Sequence, residues 1–262
     1  MSCNIHPYIQ EWIDIVEKKI YAVCEEQELL VAHVKWCFEH EDIYIDCDQL
    51  EKYIGMSKYF PFEEIFPWQK FVIGLHDCTY WRESGLPRWP DLFCMLGRGA
   101  GKDGTIALES VCLMSPHNGI REYDVDICAN NEDQAMRPVH DVINAFERPS
   151  VIKKLKKFFR WTKEQVLCLK TKSIMKGRTN SPKGKDGLRS GICIFNEIHQ
   201  YEDYKNINVF TTGLGKKKHP RRSYYTTMVM CGKDRWMICW KLPNRYYGVA
   251  NRIMGYYHLS VN

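Results

Sequence analysis

One segment constrains the fold more than any other: Phe93-Cys-Met-Leu-Gly-Arg-Gly-Ala-Gly-Lys102-Asp-Gly-Thr-Ile-Ala-Leu108. The apolar run from Leu92 to Leu96 reads as a buried strand, and the segment after Lys102 has the apolar period of a helix. A glycine-rich turn joins them. Strand, glycine loop, lysine and helix together form a phosphate cradle: backbone N–H groups and a helix N-terminus face the anion, and the lysine neutralises it. The strict phosphate-loop pattern is partly met. Leu96 stands five before Gly101, where the pattern has Gly, and Asp103 follows Lys102, where Ser or Thr would hold magnesium. Without a ligand the same string would be a glycine-rich strand–helix turn.

The rest of the chain narrows the class. Its 262 residues suffice for one sizeable α/β core with an appended element. A net charge of +5 permits a nucleic-acid partner without requiring one. Twelve cysteines are scattered singly with no C-x-x-C pair, which favours a reducing cytosolic compartment over a disulfide framework. No apolar run reaches the ~20 residues of a membrane span. From Tyr8 to Glu39 the pattern is helical, with Ile9, Trp12, Ile13, Val16, Ile20 and Val23 on one face. His33 and His40 have no partner at ligand spacing and read as solvated helix residues. Residues 1–60 are therefore expected to be a helical preface packed on a core spanning residues 61–227.

Within that core, Asp124–Ala129 reads as a second strand opening into the polar turn Asn130-Asn-Glu-Asp-Gln-Ala135. Val151–Arg160 reads as a basic amphipathic helix carrying Lys153, Lys154, Lys156 and Lys157. Val166–Leu169 reads as a short strand, and Ser173–Ser190, rich in Gly, Lys, Ser and Asn, as a loop. The strand Ile192–Phe195 ends in Asn196-Glu197, and Tyr224–Thr227 reads as a strand ending in two hydroxyls. Polar residues at the carboxyl end of a parallel strand are positioned for metal and base chemistry. Asp-Glu would be expected there, Asp for the magnesium shell and Glu to orient the attacking water; Asn196 lacks the charge of the first. Gln69, beside Trp68, has an amide able to pair with the N6/N7 edge of adenine. The order of strands and crossover helices predicts an α/β fold with a parallel sheet.

Taken in order, these stretches resemble the large subunit of tailed-bacteriophage terminases, the ATPase that packages DNA into procapsids. Trp68-Gln69 resembles its adenine motif, Arg98-Gly-Ala-Gly101-Lys102-Asp103 its deviant Walker A, and Ala129-Asn-Asn-Glu-Asp-Gln134-Ala135 its Ala-Asn-x-x-x-Gln-Ala turn. Gly187-Leu188 before Ile192–Gln200 resembles its Walker B approach, and Thr226-Thr227 its coupling motif. The resemblance implies a P-loop NTPase of the RecA/ASCE-like type, with helices flanking a parallel sheet and an N-terminal helical segment. It also implies ATP with Mg2+, and ATP hydrolysis coupled to double-stranded DNA translocation.

Roles follow by the same resemblance. Gln69, Arg98, Gly99, Ala100, Gly101, Lys102 and Asp103 would bind ATP, and Asp103 and, weakly, Asn196 would hold Mg2+. Glu197, Arg98 and Lys102 would be catalytic; an arginine acting on transition-state charge is worth roughly 10³–10⁵ in rate in NTPases. Thr226 and Thr227 would couple the γ-phosphate to DNA-gripping elements. The lysines of 153–157, and Lys216 to Lys218 with Arg221 and Arg222, would touch the DNA backbone. Expected partners are double-stranded DNA, the terminase small subunit, the portal protein and further copies of the chain in a ring, with no membrane, in the cytoplasm of the bacterial host.

Two departures stand out. Asn196 predicts weakened magnesium coordination and slow hydrolysis; an impaired prophage remnant that binds nucleotide or DNA without turnover is the alternative reading, and a helicase-type ATPase a third. The second departure is the run 228–262, which shows neither helical nor strand period. Sliding the frame back one base after Thr227 turns Met228-Val229 into Gly, Met230-Cys231 into Val, Trp236-Met237-Ile238 into Asp-Asp and Cys239-Trp240-Lys241 into Leu-Glu. With permissive codons elsewhere the string becomes DGYVRERPLDDMLETAEQILRG, a capped amphipathic continuation. Residues 228–262 are thus expected to be an out-of-frame tail, the alternative being an atypical C-terminal element. The nuclease domain that follows the ATPase in the family is not expected in this sequence.

Overall fold

The computed structural model describes residues 5–62, 64–179, 189–201 and 205–227. The chain opens with two helices, α1 (Pro7–Glu17) and α2 (Glu25–His40), rather than one long pattern. Pro7 sits at the first helical turn of α1, where a missing N–H costs nothing, and the His6 ring accepts from the Tyr8 N–H. The helical period fails after Glu17: Lys19 takes a left-handed φ of 51°, and Ile20 becomes exposed. A two-stranded antiparallel ribbon follows from β1 (Ile43–Ile45) and β2 (Thr79–Trp81), with α3 (Cys47–Gly55) and α4 (Pro67–Cys78) between them.

The main sheet has seven strands: β3 (Asp91–Leu96), β4 (Val125–Ala129), β5 (Phe159–Trp161), β6 (Gln165–Cys168), β7 (Ile174–Thr179), β8 (Ile192–Phe195) and β9 (Arg221–Thr227). Their order is β3-β9-β8-β4-β7-β6-β5. The first five are parallel, as the strand–helix alternation predicts, and β6 and β5 extend the sheet antiparallel. α5 (Lys102–Met114) links β3 to β4, α6 (Glu132–Glu147) and the short α7 (Ile152–Leu155) lead from β4 to the edge strand β5, and the short α8 (Lys205–Thr211) lies between β8 and β9.

Two local expectations are corrected. The basic helix over 151–160 is a single turn; Phe159, buried, and Arg160, exposed, alternate with period two and form the edge strand β5. The loop expected from Ser173 contains β7, a strand paired with β4 on one side and β6 on the other. Gly177 disguised it, yet a Cβ there would lie 2.6 Å from Met136 Sδ and 2.9 Å from the Ala135 carbonyl, so glycine is what lets α6 sit on the sheet.

One apolar core joins α3, α5 and α6 to the sheet through Leu50, Tyr53, Ile106, Val111, Val139 and Ile192. A second core binds α1 and α2 to α4 through Ile9, Ile13, Val34, Phe38, Phe71 and Leu75. No helix among the described residues is long and apolar enough to cross a membrane. The nine described cysteines are free thiols.

A buried polar clasp ties α4 and α5 to β9. Arg221, 0% exposed, donates to the carbonyls of His76 (3.1 Å) and Asp77 (2.9 Å) and to the hydroxyls of Tyr80 (3.3 Å) and Tyr123 (3.2 Å). Ser223 and Tyr225 donate to the two oxygens of Glu109 at 2.9 and 2.8 Å. Burial lifts the Glu109 carboxyl to about 7 and depresses His76 to about 3. Asp77 is pushed well up, first by burial and then by Glu109.

Candidate functional site

The loop after β3 turns on two left-handed glycines, Gly99 (φ 81°) and Gly101 (φ 89°), a conformation costly for any residue with a Cβ. Gly101 is the N-cap of α5 and offers no side-chain acceptor, so the helix begins with its dipole and first N–H groups available to a ligand. Gln69 of α4 fixes the loop from below. It is 8% exposed; its Oε1 accepts from the Phe66 N–H at 2.8 Å, and its Nε2 donates to Thr105 Oγ1, also at 2.8 Å. Thr105 in turn donates to the Gly101 carbonyl at 3.0 Å. The amide therefore has structural partners on both sides, with one N–H and one lone pair remaining.

Lys102 points across to β8. Its ammonium donates to Asn196 Oδ1 at 2.7 Å and Glu197 Oε1 at 2.5 Å, and lies 3.5 Å from Asp103 Oδ1. Thr227 at the end of β9 donates to the same Glu197 oxygen at 3.2 Å. The ends of three adjacent parallel strands, β3, β9 and β8, thus converge on one carboxylate. Burial alone would raise the Glu197 carboxyl, but the hydrogen bond and charge of Lys102, then Thr227 and His199, hold it below its ordinary value. Glu197 also adopts φ 53°, a strained conformation for a side-chain residue that such sites tolerate.

The sequence-derived residues divide clearly. Gly101, Lys102, Asp103, Asn196, Glu197 and Thr227 come together. Thr226, 3% exposed, meets the group through His199, whose Nδ1 lies 2.8 Å from Thr226 Oγ1. Arg98, Gly99 and Ala100 form the crest of the loop; Arg98 is exposed and its side chain has no partner among the described residues. Gln134 of the Asn-x-x-x-Gln turn donates to Gln200 Oε1 at 2.9 Å, knitting α6 to the segment after β8. Gly187 and Leu188 lie outside the described residues. Arg221 is fully buried in the clasp, and Arg222 pairs with Asp91 at 2.5 and 2.6 Å, so the expectation that Arg221 meets DNA is overturned by its burial. Lys153, Lys154, Lys156, Lys157, Lys216 and Lys218 are exposed.

Sequence reasoning missed Thr105, His199 and Pro138. Thr105 carries the clearest signal, a hydroxyl one turn after the loop lysine; the other two depend on tertiary contacts.

The buried oxygens test whether a nucleotide-bound divalent cation suits the site. Asp103 Oδ1 and Glu197 Oε2 are buried without a hydrogen bond on either side of Lys102, and with the Asn196 amide they make an oxygen donor set of the kind hard cations prefer. The residues fit the group.

A phosphate loop at the switch between parallel strands, facing a carboxylate, defines a P-loop nucleotide-binding protein. The particular family follows from comparison. The family described as terminase large subunit, ATPase domain, matches residues 67–236, more than half of the chain, and the chain belongs to it. Among solved structures, the HK97 bacteriophage large terminase is similar with a TM-score of 0.58 at 18% identity, covering 78% of this chain. The chain spans 42% of that protein's length, and the likeness is one of fold. The ATPase domain of the Thermus phage P74-26 large terminase aligns at a TM-score of 0.43 and 14% identity, over 64% of this chain and 72% of its own. Comparison with curated proteins gives no match.

Proposed function

We propose that this chain is the ATPase part of a phage DNA-packaging motor, hydrolysing ATP to move double-stranded DNA into a procapsid. The observation that carries the reading is the Lys102–Glu197 contact: the lysine that would take the β- and γ-phosphates rests on the carboxylate that would orient water. ATP entering would draw Lys102 toward phosphate and release Glu197 for the water. Gly99, Ala100 and Gly101 would admit close backbone approach. Arg98, exposed on the crest, would turn onto transition-state charge. Gln69 would offer its remaining N–H and lone pair to adenine. Asp103 and Asn196 would hold Mg2+, which when bound neutralises phosphate charge. Thr226 and Thr227 would report the state of Glu197 along β9.

The exposed lysines of 153–157, with Lys216 and Lys218, would meet the DNA backbone. The small subunit, the portal and further copies in a ring would complete the motor in the host cytoplasm. The division into a preface (1–60), a motor core (61–227) and an out-of-frame run (228–262), the last outside the described residues, belongs to the same proposal. Rereading the coding DNA from codon 227 tests that run: a restored base supports it, and an unchanged frame removes it.

The functional test is equilibrium binding of Mg·ADP and Mg·ATPγS, followed by hydrolysis with DNA and procapsids. Lys102→Ala should abolish binding, while Glu197→Gln should bind and not turn over. Absence of nucleotide binding by the unmodified chain would overturn the reading.

A further inference from the structure

Asn196 occupies the position where an aspartate would be expected, and it is 2% exposed. Its two amide atoms face opposite kinds of partner. Oδ1 accepts from the Lys102 ammonium at 2.7 Å, and Nδ2 donates to the main-chain carbonyl of Gln134 at 3.1 Å. An ammonium can only donate and a carbonyl can only accept, so the amide has one possible orientation.

The Gln134 carbonyl needs that donor for a reason written in α6. Inside a helix this oxygen would take the N–H of the residue four places on, and that residue is Pro138, which has none. The Asn196 amide takes the place of the missing helix hydrogen bond. A carboxylate at 196 could not: it would set an acceptor against an acceptor in a buried place. It would also add a third negative charge beside Glu197 and Asp103, which share the Lys102 ammonium, while Arg137 reaches Asp103 alone, at 3.8 Å.

We infer that Asn196 and Pro138 are a matched pair, in which the hydrogen bond that Pro138 withholds inside α6 makes an amide the residue this site is built to hold. Position 196 is then a neutral group that steers Lys102 and anchors α6, and the amide is a fitted residue there rather than a lesion, whether or not its oxygen also meets a cation. Its meaning for nucleotide chemistry rests on the ATPase reading above; the pairing itself does not.

The experiment is a double-mutant cycle in the full chain without nucleotide: unmodified protein, Asn196→Asp, Pro138→Ala and the double variant. Asn196→Asp should lower Tm by about 3–6 °C with Pro138 present. In the Pro138→Ala background, where the alanine N–H supplies the Gln134 carbonyl, the same change should cost less than half of that. An Asn196→Asp variant as stable as the parent, or an equal loss in both backgrounds, overturns the pairing. Asn196→Ala in both backgrounds gives the same comparison without added charge should the aspartate variant fail to fold. The readout specific to the site is Mn2+ affinity with ADP, followed by electron paramagnetic resonance. The double variant should bind Mn·ADP several-fold more tightly than Asn196→Asp alone, and equal affinities count against the pairing. If no variant, and not the parent, binds nucleotide, the ATPase reading fails while the stability cycle still decides the pair.

Discussion

His199 Nδ1 lies 2.8 Å from Thr226 Oγ1 and 3.4 Å from Glu197 Oε2, so one ring nitrogen spans the candidate catalytic carboxylate and the strand proposed to sense it. A bare Nδ1 would turn a lone pair toward the carboxylate. An Nδ1–H instead favours both neighbours, and the geometry therefore selects that tautomer. Were Lys102 drawn to phosphate as proposed, Thr227 and His199 would be the contacts of Glu197 left among the described residues, and both tie it to the end of β9.

His199→Ala is expected to cut kcat by about tenfold while changing KM for ATP little, since positioning a base acts on the chemical step. His199→Asn, whose amide N–H can occupy the Nδ1 place, should recover most of the loss, and His199→Gln should not. Equal turnover of the alanine and asparagine variants would count against the assignment. Long-range nitrogen–proton NMR of the His199 ring checks the tautomer directly.

The Lys102–Glu197 contact makes a pH prediction. The Glu197 carboxyl is held below its ordinary value of 4.5 in the folded chain. Such a group adds stability above the unfolded value and loses it as pH falls through the folded one. Lys102→Ala removes the main cause that lowers it and leaves burial, which raises it. Urea midpoints at pH 6 and pH 4 should then show a smaller acid-induced loss in the variant than in the parent. An equal loss would mean the contact does not hold in solution.

The clasp around Arg221 makes a second pH prediction, with two opposing signs. Glu109, lifted to about 7, favours the folded state at low pH, and that contribution fades as pH rises from its ordinary 4.5 toward 7. His76, depressed to about 3, favours the folded state above its ordinary 6.5 and withdraws support as pH falls. Between about pH 4.5 and 6.5 the two slopes oppose each other. His76→Asn should therefore gain stability relative to the parent on acidification from pH 6.5 to 5, and Glu109→Gln should lose it. Chemical unfolding of the three proteins at both values measures the divergence, and parallel curves would remove this account of the clasp. Although His76, Asp77 and Glu109 lie close enough to hold a metal, Arg221 is the countercharge already among them, 3.9 Å from Asp77.

What could be read in the sequence follows from how local each signal is. The strand, loop and helix from Asp91 to Met114 were legible because apolar run, glycines and lysine are contiguous, and the carboxylate site because Ile192–Phe195 ends abruptly in Asn196-Glu197. The two-helix break at Lys19 and the strand β5 were not, since Ile152, Leu155 and Phe159 fit a helical period as well as a turn and strand. The adenine reading of Gln69 saw the amide but not Thr105, thirty-six residues on, which ties it to the loop. The partnership of Asn196 with the carbonyl freed by Pro138 joins residues that no window of sequence contains together.

β7 was the largest miss, and the residue that hid it supports the last prediction. Gly177 weakens the strand signal, yet its missing side chain is where the first turns of α6 rest: an added Cβ would stand 2.9 Å from the Ala135 carbonyl oxygen and 3.0 Å from its carbon. The Met136 side chain can swing away, but the Ala135 main chain can retreat only by lifting α6 off the sheet. Gly177→Ala is expected to cost about 1–3 kcal/mol, the range for overfilling a packed contact. Because Ala135 follows Gln134, the displaced turn would also carry the carbonyl that holds Asn196 away from its 3.1 Å partner. The variant should therefore lose nucleotide affinity as well as stability, although Gly177 lies outside the loop that would bind the phosphates. Urea unfolding and Mg·ADP titration of the same preparation measure both effects. A variant that is destabilised but binds nucleotide as the parent does would break the proposed link between α6 and the end of β8.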